Sequence, residues 1–187
     1  MLAGIAIGGA QAVAATVFYM FHSMIVMTAL YFMAGLAATR AGRFALGSIG
    51  GLWSSSPLLS ALALSLFFSV AGLPPFSGFW PKAMLVSAAL AGERWWIAAA
   101  ILASGFLITF AGGRIFLLAF WRPAPQDAVA RQGAPGRPAM IVVVLLTLVS
   151  TAAGLWPEPV AVLSKTAAAA ILEPEHYLIS VFPEPRP

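Results

Sequence analysis

The chain of 187 residues contains no cysteine and only two histidines. The absence of cysteine excludes disulfides, thiolate catalysis and iron–sulfur ligation within this chain. A metal site is not expected either, because His22 and His176 are far apart in sequence and no carboxylate lies near the first of them. We therefore expect neither a metal ion nor another cofactor.

Charged residues are also scarce, at 9% of the chain, whereas soluble domains carry about 25%. Hydrophobic residues make up 61%. This balance excludes a soluble globular domain and predicts an all-α fold, a polytopic transmembrane helix bundle without strands. The net charge of +4 does not indicate nucleic-acid binding, because the arginines lie in short segments between apolar runs, as membrane topology requires.

No charged side chain precedes Arg40. A signal peptide starts with a positively charged region, so the sequence MLAGIAIGGAQAVAA does not fit one. We expect residues 1–187 to form a single transmembrane domain that begins inside a larger membrane protein, as a fragment or from an internally assigned start codon.

Long uncharged runs predict where the helices lie, because about 20 apolar residues are needed to cross a bilayer. We expect helices near residues 11–38, 58–73, 82–91, 95–121 and 138–156. Glycine, serine, proline and arginine predict loops at 39–56 and 122–137. Recurrent prolines predict an irregular, outward-facing tail at 157–187. Within it, a short interfacial helix at residues 160–172 remains an alternative.

Loop charge predicts the orientation of these helices. The two predicted loops share one side of the membrane, and the turn at 92–94 and the tail share the other. Basic loops face the cytoplasm, so we expect Glu93 and the tail to face outward. The residues expected on the cytoplasmic side are Arg40, Arg43, Arg122, Arg131 and Arg137.

A lysine next to a cluster of prolines distinguishes the central apolar run. Proline lacks a backbone N–H and clashes with the preceding turn, so Pro74 and Pro75 are expected to end the helix that approaches them. Gly78 follows, and Pro81 suits the first turn of a new helix, which Lys82 opens. These residues predict a helix, a break and a second helix. We expect Lys82 to be buried at the break, surrounded by Pro74, Pro75, Gly78 and polar or water-accessible space.

The length of this run indicates where the break lies. Residues 57–91 number 35, which is short for two crossings and long for one, so we expect one span broken within the membrane. A lysine there costs about 3 kcal/mol on insertion scales, and such residues usually mark an ion or proton path. The alternative is that Lys82 lies near an interface and extends its charge to the headgroups.

A second candidate, His22, lies near the middle of the first long apolar run, close to Tyr19 and Ser23. Polar groups within a span face other helices or water rather than lipid. Histidine is the one side chain that titrates near neutral pH when unperturbed, which favours a proton relay. A histidine that only bonds a neighbouring helix for packing remains an equal alternative.

These segments resemble those of a known membrane family. The sequence AGLPPFSGFWPKAMLVSAAL at 71–90 resembles the proline-broken helix of the antiporter-like subunits shared by Mrp-type cation/proton antiporters, respiratory complex I and membrane-bound hydrogenases. Its form G-L-P-P-F-S-G-F-x-x-K is most similar to that of the D subunit of the Mrp antiporters. FYMFHSMIVMTALYFMAG at 18–35 is similar to a preceding helix, and GGLWSSSP at 50–57 to the loop that follows. The resemblance covers residues 18–121.

The resemblance implies a fold of about fourteen membrane helices with two inverted repeats, each with one interrupted helix, and a line of lysines, histidines and glutamates along the membrane midplane. Lys82 then takes the place of the lysine in the second interrupted helix, and His22 that of a histidine in the polar line. Met27 stands where some relatives carry a lysine, and the first interrupted helix is absent. The chain resembles the C-terminal portion of the subunit and is not expected to translocate ions by itself.

The leading hypothesis is a proton-translocating subunit of a multisubunit Na+/H+ antiporter in the cell inner (plasma) membrane, and not an enzyme. Its expected partners are other antiporter subunits, membrane lipid, protons and a monovalent cation, which the residues leave open as Na+, K+ or Li+. Lys82 would bind and release the proton, with His22 as a relay. Two alternatives stay open: the analogous subunit of a complex I-like NADH:quinone oxidoreductase or a hydrogenase, and a non-conducting structural subunit.

Overall fold

The computed structural model describes residues 1–123, 136–173 and 181. The described residues contain no strand and form eight α-helices. These are α1 (Leu2–Ile7), α2 (Gly9–Ala41), α3 (Leu52–Ser55), α4 (Pro57–Ala71), α5 (Phe79–Ala91), α6 (Trp95–Phe116), α7 (Arg137–Leu155) and α8 (Glu158–Leu172). A π-helical segment, Leu117–Trp121, continues α6.

Three helical segments, Gly9–Ala41, Trp95–Trp121 and Arg137–Leu155, are long and apolar enough to cross a membrane. They confirm the predicted all-α transmembrane bundle. The longest of them, α2, has 33 residues and therefore extends about 50 Å, well beyond the roughly 30 Å hydrocarbon core. Its length lets α2 pack against four of the longer helices, α4, α5, α7 and α8, as well as the short α1 and α3.

The central span is interrupted where the prolines predicted. Helix α4 ends at Ala71, where Gly72 adopts a left-handed conformation with φ 85°, and α5 begins at Phe79. Each is about 20 Å long and too short to cross alone, at 15 and 13 residues. Both α2 and α6 contact α4 and α5, so the two short helices follow one another along the same neighbours as one interrupted span.

The connections show which segments share an end of the bundle. At one end the Gly51 N–H donates to the Arg122 carbonyl at 2.6 Å, and the Arg122 guanidinium donates to the Gly47 and Ile49 carbonyls, each at 2.7 Å. At the other end Arg94 donates to the Ala6 carbonyl at 2.9 Å. The two arginine-bearing segments therefore share one side, as predicted, although Arg131 lies outside the described residues. That this side is cytoplasmic stays a prediction.

The prediction of a loop at 39–56 is wrong in part. Helix α2 continues to Ala41 and ends only at Gly42, whose φ of 67° suits glycine. The rest of the expected 39–56 loop contains a 3₁₀ turn at Leu46–Ser48 and the short helix α3.

The beginning of the expected 157–187 tail forms α8 at residues 158–172, close to the short helix left open at 160–172. Proline is tolerated in the first turn of a helix, where its missing N–H has no partner to lose, so Pro159 starts this helix rather than preventing it. Helix α8 packs along α2 and buries Ser164 and Ala168. Residues 174–180 and 182–187 lie outside the described residues.

The buried face of α4 leads from the apolar core to the break. Leu59, Ala63 and Leu66 are fully buried at helical spacing and belong to the larger apolar cluster. Ser69, three residues after Leu66, continues that face and is 1% exposed. The interior of the bundle therefore becomes polar one turn before α4 ends.

Candidate functional site

Buried polar side chains line one side of the break. His22 is 4% exposed, and its Nδ1 lies 2.8 Å from Ser77 Oγ. Ser77 Oγ lies 2.9 Å from Ser150 Oγ, which lies 2.8 Å from Ser69 Oγ. We call Ser69, Ser77 and Ser150 the serine chain; none is more than 2% exposed. Polar groups buried so deeply need hydrogen-bond partners, and this network supplies them.

Four different parts of the molecule contribute to this network. His22 comes from α2, Ser69 from the last turn of α4, Ser77 from the break and Ser150 from α7. Tyr19, one turn before His22, places its ring edge-on to the imidazole, with ring centroids 5.7 Å apart. The network therefore depends on how the helices pack, and no single segment could form it.

Helix α7 holds the break in place. The Ser77 N–H donates to the Ser150 carbonyl at 3.2 Å, and the Trp80 indole N–H donates to the Gly154 carbonyl at 2.7 Å. At Gly154 an added Cβ would overlap the carbonyl of Pro75 and lie 2.7 Å from the Phe76 Cα. The absence of a side chain at 154 is what lets the broken backbone lie directly on α7.

Lys82 lies on the other side of the break, as the fourth residue of α5, and is half-buried. Its Nζ donates to the carbonyls of Val70 and Ala71, at 2.8 and 2.6 Å. These carbonyls belong to the last turn of α4, where backbone oxygens have no partner within the helix and the helix dipole is negative. The ammonium group thus caps the C-terminal end of α4.

Lys82 also faces a cavity of about 540 Å³ between α4, α5 and α6. Its lining is largely apolar and includes Leu102, Phe106 and Thr109 of α6. A water molecule occupies about 30 Å³ in the liquid, so the cavity has room for several. The lysine is therefore stabilised by carbonyl dipoles on one side and has space for water on the other.

The expected surroundings of Lys82 need correction. We expected a buried lysine among Pro74, Pro75 and Gly78, but Lys82 is half-buried and none of these three lines its cavity. Pro74 and Pro75 are exposed. The lysine stem turns back toward α4 instead, because the carbonyls at that helix end attract its charge. Pro81 is buried in the first turn of α5, as expected.

Gly78 lies on the side of His22. An added Cβ there would overlap the Ser69 carbonyl and lie 2.9 Å from His22 Cε1. At Gly72 an added Cβ would lie 2.6 Å from Lys82 Cδ and 3.2 Å from the Gly78 carbonyl. The two glycines therefore let Lys82 and His22 approach the same short stretch of backbone.

Sequence reasoning missed the serine chain. Its members come from three segments, and a serine in an apolar helix ordinarily bonds the carbonyl four residues before it. The continuation of the buried face of α4 by Ser69 was the one available signal.

Met27, which stands where some relatives carry a lysine, is 47% exposed and lies on the surface of the described bundle.

Comparisons with known proteins place this geometry in a family. The family model described as "NADH:quinone oxidoreductase/Mrp antiporter, TM" matches residues 1–108, more than half of the chain. The chain belongs to this family. Among relatives in it, the D subunit of the Na(+)/H(+) antiporter of Alkalihalophilus pseudofirmus is 34% identical over 184 residues, which cover 98% of this chain and 37% of that protein. The N subunit of the NADH-quinone oxidoreductase of Xanthomonas euvesicatoria is 38% identical over 100 residues, covering 52% of this chain and 20% of that protein.

A solved structure extends the likeness to most of the chain. A chain of the Mrp complex from Dietzia sp. DQ12-45-1b has a TM-score of 0.86 and 27% identity, covering 95% of this chain and 41% of that chain. The predicted similarity to the D subunits of Mrp antiporters is thereby confirmed. The chain spans about two fifths of the length of these antiporter relatives, 37% of one and 41% of the other.

Proposed function

We propose that this chain is the C-terminal portion of the proton-translocating, D-type subunit of a multisubunit monovalent cation/proton antiporter. It acts in the cell inner (plasma) membrane as a transporter subunit, assembled with other antiporter subunits, and has no reaction of its own to catalyse. The support is its family and its similarity to the D subunits of antiporters along nearly the whole chain.

The observation that carries the proposal is the position of Lys82. Its ammonium group bonds two carbonyls at the end of α4 and faces a cavity with room for water. Partial burial disfavours the charged amine, whereas the carbonyl dipoles favour it. A lysine whose charge is disfavoured by burial and favoured by carbonyl dipoles can bind a proton and release it again. The carbonyls of Val70 and Ala71 hold it at the break in the charged state.

His22 is the second group in this proposal, as a relay on the side of the break that the serine chain lines. Its imidazole can accept a proton at one nitrogen and donate from the other, and it already shares a hydrogen bond with Ser77. Protons would reach Lys82 through the cavity and His22 through the interior. The two side chains lie near the same stretch of backbone, between Gly72 and Gly78.

The test is Lys82→Ala in the complete antiporter, reconstituted in vesicles. Lys165→Ala is the matched control, because Lys165 is exposed on α8. We expect Lys82→Ala to abolish cation/proton exchange while the complex assembles, and Lys165→Ala to exchange at the wild-type rate. Lys82→Arg should also impair exchange, because arginine does not release its proton in proteins. If assembled Lys82→Ala complexes exchange at the wild-type rate, Lys82 is structural and the proposal fails.

A second candidate function rests on the identity of 38% with the N subunit of an NADH-quinone oxidoreductase over 100 residues. In that case the chain belongs to a redox-driven proton pump and has no redox site of its own. Vesicles separate the two functions. An antiporter exchanges protons for Na+, K+ or Li+ when only a pH gradient is applied, whereas a redox-driven pump moves protons only while NADH or another electron donor is oxidised.

A further inference from the structure

The hydrogen bonds between His22 and Ser69 form an unbroken path through the bundle. It runs from His22 Nδ1 to Ser77, Ser150 and Ser69, with three distances of 2.8, 2.9 and 2.8 Å. The four side chains are between 1% and 4% exposed, so bulk water does not compete for these bonds. The path crosses from α2, through the break and α7, to the end of α4.

A hydroxyl group has one hydrogen to donate, so the chain can point in only one direction at a time. When His22 Nδ1 accepts, Ser77 donates to it, Ser150 donates to Ser77 and Ser69 donates to Ser150. When Nδ1 carries a proton, it donates to Ser77, and the Ser77 hydrogen then finds a partner within the chain only if both serine–serine bonds reverse. The protonation of His22 is thereby coupled to the direction of every hydroxyl as far as Ser69.

The far end of this path lies beside the lysine site. Ser69 immediately precedes Val70 and Ala71, whose carbonyls accept the two hydrogen bonds from Lys82 Nζ. The path from His22 therefore ends in the same helical turn that holds the ammonium group.

We propose that Ser77, Ser150 and Ser69 form a hydroxyl relay that carries a proton between His22 and the end of α4 that binds Lys82. The relay rests on the proposed transport function. In one direction, charged His22 gives its Nδ1 proton to Ser77, each hydroxyl passes its own proton onward, and Ser69 gives one to a water molecule at the end of α4. Every serine finishes neutral with one hydrogen, and His22 finishes neutral. Rotation of the hydroxyls then resets the chain.

Ser150 is the junction at which the relay can be tested. Its Oγ lies between those of Ser69 and Ser77, and its carbonyl accepts the Ser77 N–H. Buried serines also stabilise membrane helix contacts simply by hydrogen bonding, which is the competing role. Threonine and valine have the same shape and differ in the hydroxyl, so Ser150→Thr and Ser150→Val separate the relay from the packing.

The experiment measures cation/proton exchange by the complete antiporter in vesicles, normalised to the assembled complex. We expect Ser150→Thr to retain exchange within about threefold and Ser150→Val to lose at least about tenfold, because a positioned proton-transfer group is worth about 10²–10⁴ in rate. Ser60→Ala is the control. Ser60 is equally buried but donates only to the Leu52 and Ser56 carbonyls, so its variant should exchange at the wild-type rate.

Equal exchange rates for assembled Ser150→Thr and Ser150→Val would overturn the relay. If the extra methyl group prevents assembly of both, Ser77→Ala and Ser69→Ala decide instead: loss of exchange in both supports the relay, and wild-type exchange in either overturns it. Lys82→Ala is measured alongside. If Lys82→Ala loses exchange while Ser150→Val exchanges at the wild-type rate, the relay is wrong and the proposed transport function is retained. If Lys82→Ala is active, the role assigned to the lysine is wrong, whatever the result for Ser150.

Discussion

The two sides of the break between α4 and α5 stabilise their polar groups differently. On the His22 side the partners are side-chain hydroxyls, and every group is almost fully buried. On the Lys82 side the partners are backbone carbonyls, and a cavity of about 540 Å³ adjoins the amine. An imidazole can be neutral and so tolerates a closed network, whereas an ammonium ion needs dipoles or water near it. We call these the closed side and the open side.

The closed side should be the less tolerant of added volume, and Gly78→Ala tests this most severely. The backbone at Gly78 has φ −68° and ψ −18°, which suits alanine, so any loss comes from contacts. The new Cβ would meet the Ser69 carbonyl and the His22 ring, and overpacking of this kind costs about 1–3 kcal/mol. We expect less assembled complex, a lower melting temperature and at least about tenfold slower exchange.

The control for Gly78→Ala is Gly35→Ala in α2, because nothing lies within 4 Å of the Cβ added there. It should assemble and exchange as the wild type does. A Gly78→Ala complex with unchanged melting temperature and unchanged exchange would mean that the closed side can accommodate an additional methyl group.

The docking of the break on α7 is tested next by Gly154→Ala. Alanine favours a helix by up to about 1 kcal/mol over glycine, but the added Cβ would overlap the Pro75 carbonyl, at a cost of about 1–3 kcal/mol. Gly113→Ala in α6 is the matched control, because its Cβ meets nothing within 4 Å. We expect Gly154→Ala to lower the melting temperature of the complex and Gly113→Ala to keep or raise it. Equal melting temperatures would show that α7 does not hold the break.

The open side was more predictable from the sequence than the closed side. Proline and glycine act on their own neighbours, so Pro74, Pro75 and Pro81 sufficed to place the break and the start of α5 near Lys82. The same local rules left α8 open between a short helix and an irregular tail, because Pro159 begins a helix as readily as it prevents one from continuing.

The closed side depends on contacts between residues that are distant in sequence. Ser69 and Ser150 are 81 positions apart, and His22 and Ser77 are 55 apart. Serine is compatible with a lipid-facing, a packed or a hydrogen-bonded position, so its identity alone does not indicate a network. The direction of the Lys82 side chain was unpredictable for a similar reason, since it follows from the place where the end of α4 lies relative to α5.

Removal of the imidazole should have a smaller effect than removal of the lysine. His22→Ala leaves a space beside the Ser77 hydroxyl, and a polar space of that kind admits water. Water can bond Ser77 and exchange protons with it, so we expect exchange to fall several-fold in vesicles rather than to disappear, a weaker loss than that of a general acid–base group. If assembled His22→Ala is as inactive as Lys82→Ala, both sides of the break hold an essential group, and the expected difference between them is absent.

The smallest effect is expected on the open side, from Gly105→Ala. The added Cβ would lie 3.5 Å from the Ala71 carbonyl and 3.7 Å from Lys82 Nζ, both ordinary contact distances. A change that meets only such contacts alters energies by about 0.5 kcal/mol, so exchange should stay within about twofold of the wild-type rate. Gly105→Leu is different, because its longer side chain starts beside the lysine and takes up space in the cavity that water would use. We expect Gly105→Leu to assemble and to exchange several-fold more slowly than Gly105→Ala, since proton transfer to and from Lys82 then lacks its water. Equal rates for the alanine and leucine variants would mean that protons reach Lys82 without this cavity, and the two sides would then differ in their hydrogen-bond partners but not in access to water.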